Sequence, residues 1–334
     1  MSRRAALILL CAAALALAPF AALCFGRFPI SAGEALSALF PAFFGEIENA
    51  ELTRGVLLNI RLPRVALAML SGAGLAVSGA AFQSLFSNPL ATPDTLGVAT
   101  GASFGAALGI LAGFSPVFVQ LSAFAAGLAA VALVLAVSRV RGSSPVIMMI
   151  LAGMVVSALF SALVSLVKFA ADPQDVLPAI TFWLMGSLSG ATRESLALGS
   201  PAIIAGVLII WLARWQLNAA SLSDDEAVSL GVNLRRLRLA VIAGAALITG
   251  AVVSMCGLIG WVGLLVPHGS RMLFGADNRR VVPASLVLGA LFMLAIDTAA
   301  RSAAASEIPA SILTSIIGAP FFIFLLRRSG GIRE

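Results

Sequence analysis

Long apolar stretches alternate with short polar intervals along almost the whole chain. At ~1.5 Å per residue, a helix needs about 20 apolar residues to cross the hydrocarbon core of a bilayer. The candidate transmembrane helices are the ten stretches 5–25, 65–86, 95–113, 117–138, 145–168, 195–213, 237–256, 257–268, 281–300 and 308–326. The eighth is too short to cross alone, so we expect it to be tilted or buried within the bundle. The pattern predicts an all-α, polytopic membrane protein with one transmembrane domain, 1–334.

The composition and the charge distribution also indicate a membrane protein. Of the 334 residues, 60% are hydrophobic and 11% are charged, far less charge than a soluble surface of this size carries. If the N-terminus is cytoplasmic, the segments on that side hold fourteen of the 21 basic residues and the outer segments hold seven. This bias predicts that both termini are inside and that the number of spans is even. It also explains the net charge of +6 without nucleic-acid binding.

The N-terminal stretch MSRRAALILLCAAALALAPFAALC has the basic start and Ala/Leu run of a secretory signal, and its ending resembles a lipoprotein processing site. Leu23 is bulky for the position before the cysteine, so we expect an uncleaved first transmembrane helix. Cys11, Cys24 and Cys256 lie in apolar runs without CxxC spacing. We interpret them as small buried hydrophobic residues rather than metal ligands or disulfide partners.

Two segments of the chain are faintly similar to each other. RVALAMLSGAGL (64–75) and RLAVIAGAAL (238–247) lie in the second and seventh spans. The shared residues are Leu67, Ala68, Gly72, Ala73 and Leu75, which recur at a constant offset as Leu239, Ala240, Gly244, Ala245 and Leu247. An offset of five spans reverses the direction of crossing, as in the inverted repeats of many transporters. The similarity predicts a weak inverted repeat, with halves at about 61–168 and 235–328.

Glycines recur at every fourth position along the third span. They are Gly97, Gly101, Gly105, Gly109 and Gly113. Small residues on one stripe of a transmembrane helix let a neighbouring backbone approach closely. Helix packing is the first interpretation of this stripe, and the lining of a transport pathway is the alternative.

The sequence lacks the residue patterns of most catalytic and metal sites. A P-loop needs a lysine after its glycines, and the only lysine, Lys168, lies in SLVKFA. The only histidine, His268, has no nearby carboxylates with which to form a metal site, so we assign it a structural or loop role. HExxH is absent from the sequence, and the one GxSxG match, GASFG (101–105), lies inside a predicted span rather than at the strand-to-helix turn that this motif needs. An intramembrane enzyme therefore has no support.

One acidic residue, Asp297, lies within a predicted span, near the outer end of the ninth. Arg301 follows four residues later, in the order that favours a helical ion pair. Local pairing is the first interpretation. A proton relay, which would suit a stand-alone proton-coupled secondary transporter, is the alternative.

The segment SLSDDEAVSLGVNLRR (221–236) has the features of a short, capped cytoplasmic helix. Ser223 and Glu226 form a capping box, and Asp224 and Asp225 make the first turn acidic. Ala227, Val228 and Leu230 give the helix an apolar side. Gly231 is a natural stop at its C-terminal end. An ordinary loop needs none of these. We expect a docking helix, and a merely solvated connector is the alternative.

Two further polar features interrupt the apolar pattern. The interval FSNPLATPDTLGVATG (86–101) breaks the helix between spans two and three, and Asp94 is positioned to cap the third span. On the predicted outer rim, Arg61, Arg64 and Arg301 run against the positive-inside trend. These arginines would either anchor lipid headgroups or dock an acidic soluble partner.

Five blocks of the sequence, in the same order, resemble the permease subunits of ABC importers for iron–siderophores, haem and vitamin B12. They are NIRLPRVALAMLSGAGLAVSGAAFQSLFSNPLATPDTLGVATGASFGA (59–106), FWLMGSLSGA (182–191), SLSDDEAVSLGVNLRRLR (221–238), GLIGWVGLLVPHGSRMLFGADNRRVVPAS (257–285) and EIPASILTSIIGAPFFIFLLRR (307–328). The resemblance covers nearly the whole chain.

The resemblance implies a ten-helix subunit, similar to the vitamin B12 permease, that pairs with a second copy of itself. The translocation path would lie between the two copies. Two ATPase subunits would bind on the cytoplasmic side of a bacterial inner membrane, and one substrate-binding protein on the periplasmic side. The permease itself would perform no chemistry and need no cofactor, because ATP hydrolysis takes place in the separate ATPase subunits.

The resemblance also implies roles for individual residues. It assigns a cytoplasmic gate to Asn88, Pro89 and Leu90, with a second gate segment at Ser143 and Ser144. It assigns ATPase coupling to the helix at 223–230, and docking of the binding protein to Arg61, Arg64 and Arg301. The expected substrate is a ferric siderophore first, with haem, cobalamin or an oxyanion such as molybdate as alternatives.

Overall fold

The chain is described by a computed structural model that covers residues 3–45, 49–139, 146–222, 224–304 and 306–328. Within these ranges the regular structure is helical. The α-helices are α1 (Arg3–Cys24), α2 (Ala32–Leu39), α3 (Pro41–Phe44), α4 (Ala50–Gly55), α5 (Leu62–Leu85), α6 (Val98–Leu111), α7 (Pro116–Val137), α8 (Val146–Ala170), α9 (Val176–Leu184), α10 (Arg193–Ala213), α11 (Gln216–Ala220), α12 (Asp224–Ser229), α13 (Leu234–Cys256), α14 (Val262–Phe274), α15 (Asn278–Ser302) and α16 (Ala310–Arg328).

The ten predicted spans correspond to ten of these helices. Seven helical stretches in the described ranges are long and apolar enough to cross a membrane: α1, Ala50–Leu85, α7, α8, α10, α13 and α15. Two shorter apolar helices, α6 and the stretch Ala310–Phe324 of α16, lie where the third and tenth spans were expected. With α14 they complete the predicted all-α, polytopic architecture.

The eighth predicted span was placed too early in the chain. Gly257, with φ +69°, ends α13, and Trp261 holds another left-handed conformation, with φ +71°. Helix α14 therefore begins only at Val262 and continues to Phe274, so His268 lies inside the helix rather than at its end. Its 13 residues span about 20 Å, which is less than a bilayer core. As expected, it lies within the bundle, packed against α5 and α15.

The second span is longer than predicted, because helical structure runs without a break from Ala50 to Leu85. A π-helical segment, Val56–Arg61, lies directly before Pro63. The amide of Leu62 bonds to the carbonyl of Leu57, five residues back. This wider turn accommodates the proline, which would otherwise clash with a carbonyl of the preceding turn.

Helices α5 and α13, which carry the two similar segments, are the most enclosed of the long apolar helices. In each, 78% of the most apolar stretch is buried, against 11% in α1. Helix α5 crosses α15 at Gly72 and Gly289, where a side chain on either glycine would overlap the backbone carbonyl of the other. This is the close approach that small residues allow between membrane helices.

Candidate functional site

The predicted gate segment begins where α5 ends. The amide of Ser87 bonds to the carbonyl of Ser84 at 3.3 Å, and the amide of Asn88 bonds to the carbonyl of Gln83 at 3.1 Å. These two bonds form a Schellman motif with Ser87 in the left-handed position, at φ +48°. Glycine is preferred at this position, so the serine holds the start of the segment in a strained conformation.

The turn that follows is non-helical, as the sequence predicted. The side-chain oxygen of Asn88 accepts a hydrogen bond from the amide of Leu90 at 2.9 Å, and Pro89 lies between them. Asn88, Pro89 and Leu90 are all exposed in the single chain. Ser143 and Ser144, the second predicted gate segment, lie outside the described residues.

Asp94 does not cap the third span, so that prediction was wrong. It lies in a separate 3-10 turn, Pro93–Leu96, and Gly97 intervenes before α6 begins. Gly97 takes the N-cap position with φ +75° and no side-chain hydrogen bond. The three-residue shift arises because Pro93 starts the 3-10 turn, which ends in the left-handed glycine.

The predicted coupling helix is present as α12 and stops where the sequence indicated. Gly231, at φ +78°, donates to the carbonyl of Val228 at 2.9 Å, and Val232 donates to the carbonyl of Ala227 at 3.1 Å. This is a second Schellman motif, now with the preferred glycine. Ser223 is outside the described residues, so the predicted capping box with Glu226 is not described either.

Helix α12 is fixed to the bundle and has exposed apolar residues in and beside it. Ala227 is fully buried, and the carboxylate of Asp224 binds the guanidinium of Arg238 in α13 at 2.7 Å. Val228 in the helix is exposed, as are the flanking Leu222 and Leu230. An exposed apolar surface on a helix outside the predicted membrane spans is typical of a site for a protein partner.

A set of polar contacts that the sequence did not predict joins α11 to the neighbouring helix ends. Asn218 donates to Asp277 at 2.8 Å, and its oxygen accepts from the amide of Asn278 at 2.8 Å. The Ser221 hydroxyl donates to the carbonyl of Ser84 at 3.3 Å. The Ser84 hydroxyl in turn donates to the Asn278 side chain at 2.9 Å. Polar residues at apolar helix ends were visible in the sequence, but their pairing across distant parts of the chain was not.

The carboxyl group of Asp277 is ionised within these contacts. Hydrogen bonds from the side chain of Arg279, from Asn218 and from the Arg279 amide hold its pKa below the usual range. It also serves as the N-cap of α15. A charged acceptor makes the bond from Asn218 stronger than a bond between neutral groups.

At the opposite end of the bundle, which the charge bias predicts to be the outer end, Asp297 is fully buried between two arginines. Its carboxylate accepts from Arg64 at 2.8 Å and lies 3.5 Å from Arg301. Arg64 also binds both oxygens of Glu307, at 2.9 and 3.0 Å. The predicted pairing of Asp297 with Arg301 is present, whereas the role of Glu307 was not predicted.

Arg61 and Arg301 also bind the end of α1. Arg61 donates to the carbonyls of Leu23, at 2.5 Å, and Cys24, at 3.2 Å. Arg301 donates to the carbonyl of Ala22 at 2.5 Å, and both arginines reach the loop after α1. These carbonyls have no partner within α1, and cations are favoured at the C-terminal end of a helix dipole. The signal-like N-terminal helix is thus tied to α5 and α15.

The three rim arginines are therefore buried and paired within the chain. Arg61, Arg64 and Arg301 are 5%, 8% and 5% exposed. Within the described part of the chain, the cluster contains three cationic and two anionic side chains. Docking to an acidic partner remains a prediction.

Three glycines of the stripe in the third span face α7, whereas Gly97 faces Ser157 in α8. A side chain at Gly101 would lie 2.6 Å from the Cβ of Ala130, and one at Gly105 would overlap the carbonyl of Ser122. Gly109 faces the Ser122 hydroxyl in the same way. Gly113 lies beyond the end of α6, at φ +70°. These contacts favour the packing interpretation.

The described residues contain no group of three or more His, Cys, Asp or Glu that could hold a metal ion. Cys256 is buried, and Cys11 and Cys24 are half-buried and free. His268 lines a cavity of about 520 Å³ beside Arg271, together with Asn88 and Pro89.

Comparison with known proteins gives whole-length matches. The model of the FecCD transport family matches residues 5–328. The chain is 39% identical over 308 residues to the molybdate import system permease protein MolB of Haemophilus influenzae, covering 91% of each. It is 38% identical over 301 residues to the hemin transport system permease protein HmuU of Yersinia pestis, covering 88% of this chain and 89% of that protein.

A solved structure described as an inward-facing metal-chelate type ABC transporter aligns with a TM-score of 0.87 and 37% identity, covering 96% of this chain and 99% of that one. Fold, length and sequence agree in these matches, and the resemblance seen in the sequence is confirmed. The chain belongs to the FecCD transport family.

Proposed function

We propose that this chain is the membrane-spanning permease subunit of an ATP-driven importer that moves a metal chelate from periplasm to cytoplasm. The observation that carries the proposal is α12, a short helix fixed through Ala227 and Asp224 that leaves Val228 and Leu230 exposed. The chain belongs to a transport family but has no P-loop. Its ATPase would therefore be a separate subunit, and the exposed surface at α12 would be the place where that subunit binds.

The proposed assembly contains two copies of this chain, two ATPase subunits and one periplasmic substrate-binding protein. Closure of the ATPase dimer on ATP would displace α12 and reorient the helices, opening or closing the gate at Asn88, Pro89 and Leu90. The permease supplies a path and a mechanical response, and the chemistry stays in the ATPase subunits.

A ferric siderophore is the first proposed substrate. MolB and HmuU are named for molybdate and for hemin, so similarity to this chain does not single out one cargo. A path between two subunits suits a bulky chelate. Haem, cobalamin and molybdate are the alternatives to be tested.

The proposed docking surface for the binding protein is the rim that holds Arg61, Arg64 and Arg301. Arg64 is its most accessible point, because its partner Glu307 retains a side-chain exposure of 27%. An acidic lobe would approach Arg64 along this edge. The other two arginines would attract the acidic lobe at a distance, through the excess positive charge of the cluster.

The stand-alone proton-coupled transporter is the weaker candidate. A relay carboxylate has to exchange protons with a water-accessible path. Asp297 is fully buried and held by Arg64 and Arg301, which favours a structural carboxylate over a proton relay.

The first test is purification of the tagged chain from its native cell in a gentle detergent, with mass spectrometry of the co-purifying proteins. We expect stoichiometric ATPase subunits. The replacement Val228→Asp should abolish their association because it places a charge in the apolar contact, whereas Val228→Ile should preserve it. A chain that purifies alone and transports in liposomes without ATP would refute the importer.

The substrate is tested on the same preparation. The complex with its binding protein is reconstituted and offered a ferric siderophore, haemin, cobalamin and molybdate in turn. We expect ATP-dependent uptake of the ferric siderophore. Uptake of only one of the other three compounds would identify that compound as the substrate, and the proposed importer function would still hold.

A further inference from the structure

The contacts between α11 and the end of α5 carry an inference about how the gate is moved, which rests on the proposed function. Helix α11 directly precedes α12, with only 221–223 between them. The hydroxyl of its neighbour Ser221 lies 3.3 Å from the carbonyl of Ser84 and 3.1 Å from the carbonyl of Leu217 in α11, and shares its one proton between them. The carbonyl of Ser84 also accepts the amide of Ser87, in the Schellman motif from which the gate segment departs.

The second connection runs through the start of α15. Asn218 holds the first turn of α15 by bonding both Asp277 and the amide of Asn278. The side chain of Asn278, which is 2% exposed, accepts from the Ser84 hydroxyl. Ser84 is therefore held twice, once through its carbonyl by Ser221 and once through its hydroxyl by Asn278.

We propose that four residues form a coupling link between the coupling helix α12 and the gate: Ser221, Asn218, Asn278 and Ser84. This coupling link transmits displacement of α12 to the gate. These four act as positioning residues. A pull on α12 reaches α11, and the coupling link passes it to the last turn of α5, which sets the direction in which the gate segment leaves the helix.

Two features of the gate make it responsive to such a displacement. Ser87 is strained at φ +48°, so its conformation persists only while the surrounding bonds hold it. The cavity of about 520 Å³ is lined by Ser87, by the gate residues Asn88 and Pro89, and by the link residues Asn218 and Ser221. This space gives the last turn and the gate segment room to shift relative to α11.

The coupling link differs from ordinary helix packing in its chemistry. Much of the hydrogen bonding by serine hydroxyls in this chain stays within one helix, as when Ser71 donates to the carbonyl of Ala68 at 3.1 Å. Ser221 and Ser84 also reach carbonyls in their own segments, Leu217 and Ala80, each at 3.1 Å, but their bonds in the link join three separate segments at one point. Hydrogen bonds have defined directions and lengths, so they transmit a displacement more specifically than a sliding apolar contact.

The test uses the whole importer, reconstituted with its ATPase and binding protein, and measures substrate transported per ATP hydrolysed. The variants are Ser221→Ala, Asn218→Ala and Ser84→Ala. Ser71→Ala is the matched control, because it removes a hydroxyl from the same helix without touching the link. We expect each link variant to lose at least about fivefold in substrate per ATP while ATP hydrolysis continues. Ser221→Thr, which keeps the hydroxyl, should restore coupling.

A second measurement reads the gate directly. Asn88→Cys is labelled with a maleimide before and after the ATPase is trapped with ATP and vanadate. With the link intact, we expect labelling to change on trapping. With Ser221→Ala added, we expect labelling to stay constant.

The outcomes separate the link from the proposed function. Equal losses of ATP hydrolysis and transport would show that the residues only stabilise the fold, and would overturn the link. Unchanged coupling in all three variants would also overturn it. Failure of the wild-type chain to bind an ATPase or to use ATP would instead refute the importer itself.

Discussion

Asp297 is held between two guanidinium groups, Arg64 and Arg301, and is completely buried. Desolvation of three charges is costly, and it is offset only while every member of the cluster remains paired. Arg301 also binds the last turn of α1, as does the neighbouring Arg61. A single carboxylate therefore affects how three helices meet at this end of the bundle.

Replacement of this carboxylate is expected to lower stability and leave the transport cycle intact. Asp297→Asn should destabilise the folded chain by about 3 kcal/mol, because two buried cations lose their counter-charge. Thermal unfolding in detergent measures the loss, with the exposed Asp175→Asn as control. Transport per folded complex should stay near the wild-type value. A stable Asp297→Asn protein that fails to transport would point back to a proton relay.

Replacement of Ser87 by glycine is expected to raise the stability of the folded chain, whereas Asp297→Asn lowers it. Its left-handed conformation, at φ +48°, is one that glycine adopts without strain. Ser87→Gly should therefore raise stability by about 1 kcal/mol through the Schellman motif at the end of α5. Ser87→Val should lower it, because a β-branched side chain tolerates this region least. A fall in melting temperature for the glycine variant would contradict the assigned strain.

At the scale of elements, local patterns predicted some helix ends and missed others. The stop of α12 at Gly231 followed from its sequence, because a Schellman motif is made from neighbouring residues. The start of α14 did not, because it depends on the left-handed backbone at Trp261. Glu307 and Asn218 were missed for a different reason. Their partners lie far away in the chain, and no periodicity encodes such pairs.

Helix α12 should depend on its glycine stop. In Gly231→Ala, the added Cβ is strained at φ +78° and should weaken the helix by about 1 kcal/mol. Because α12 is short and exposed, we expect weaker co-purification of the ATPase. Gly190→Ala is the control, since Gly190 has no positive φ and nothing within 4 Å of an added Cβ. Equal ATPase binding by both variants would remove α12 from the coupling surface.

Packing of α6 against α7 gives a test of the glycine stripe. Gly105→Ala places a methyl group against the carbonyl of Ser122 and should force the two helices apart. We expect a lower melting temperature, whereas Gly269→Ala in α14, which has open space, should be neutral. A Gly105→Ala protein of normal stability but altered transport rate would favour the pathway interpretation instead.

The whole molecule has two polar ends for which we propose different roles. One end carries the proposed gate, α12 and the proposed coupling link. The other carries the arginine cluster and the end of α1. The proposed function requires the first end to face the ATPase and the second to face the binding protein, so the orientation in the membrane tests the proposal.

The charge bias predicts that orientation. The segments predicted to be cytoplasmic, including the one that contains α12, hold fourteen of the 21 basic residues and the segments predicted to be outside hold seven. Lys and Arg are retained on the cytoplasmic side. In a chain with Cys11, Cys24 and Cys256 replaced, Asp175→Cys should react with an impermeant maleimide in intact spheroplasts. Val228→Cys should react only after the membrane is permeabilised. The cysteine-free chain is the control for background labelling. Reactivity in the reverse order would place the gate and α12 outside, where no ATPase could reach them.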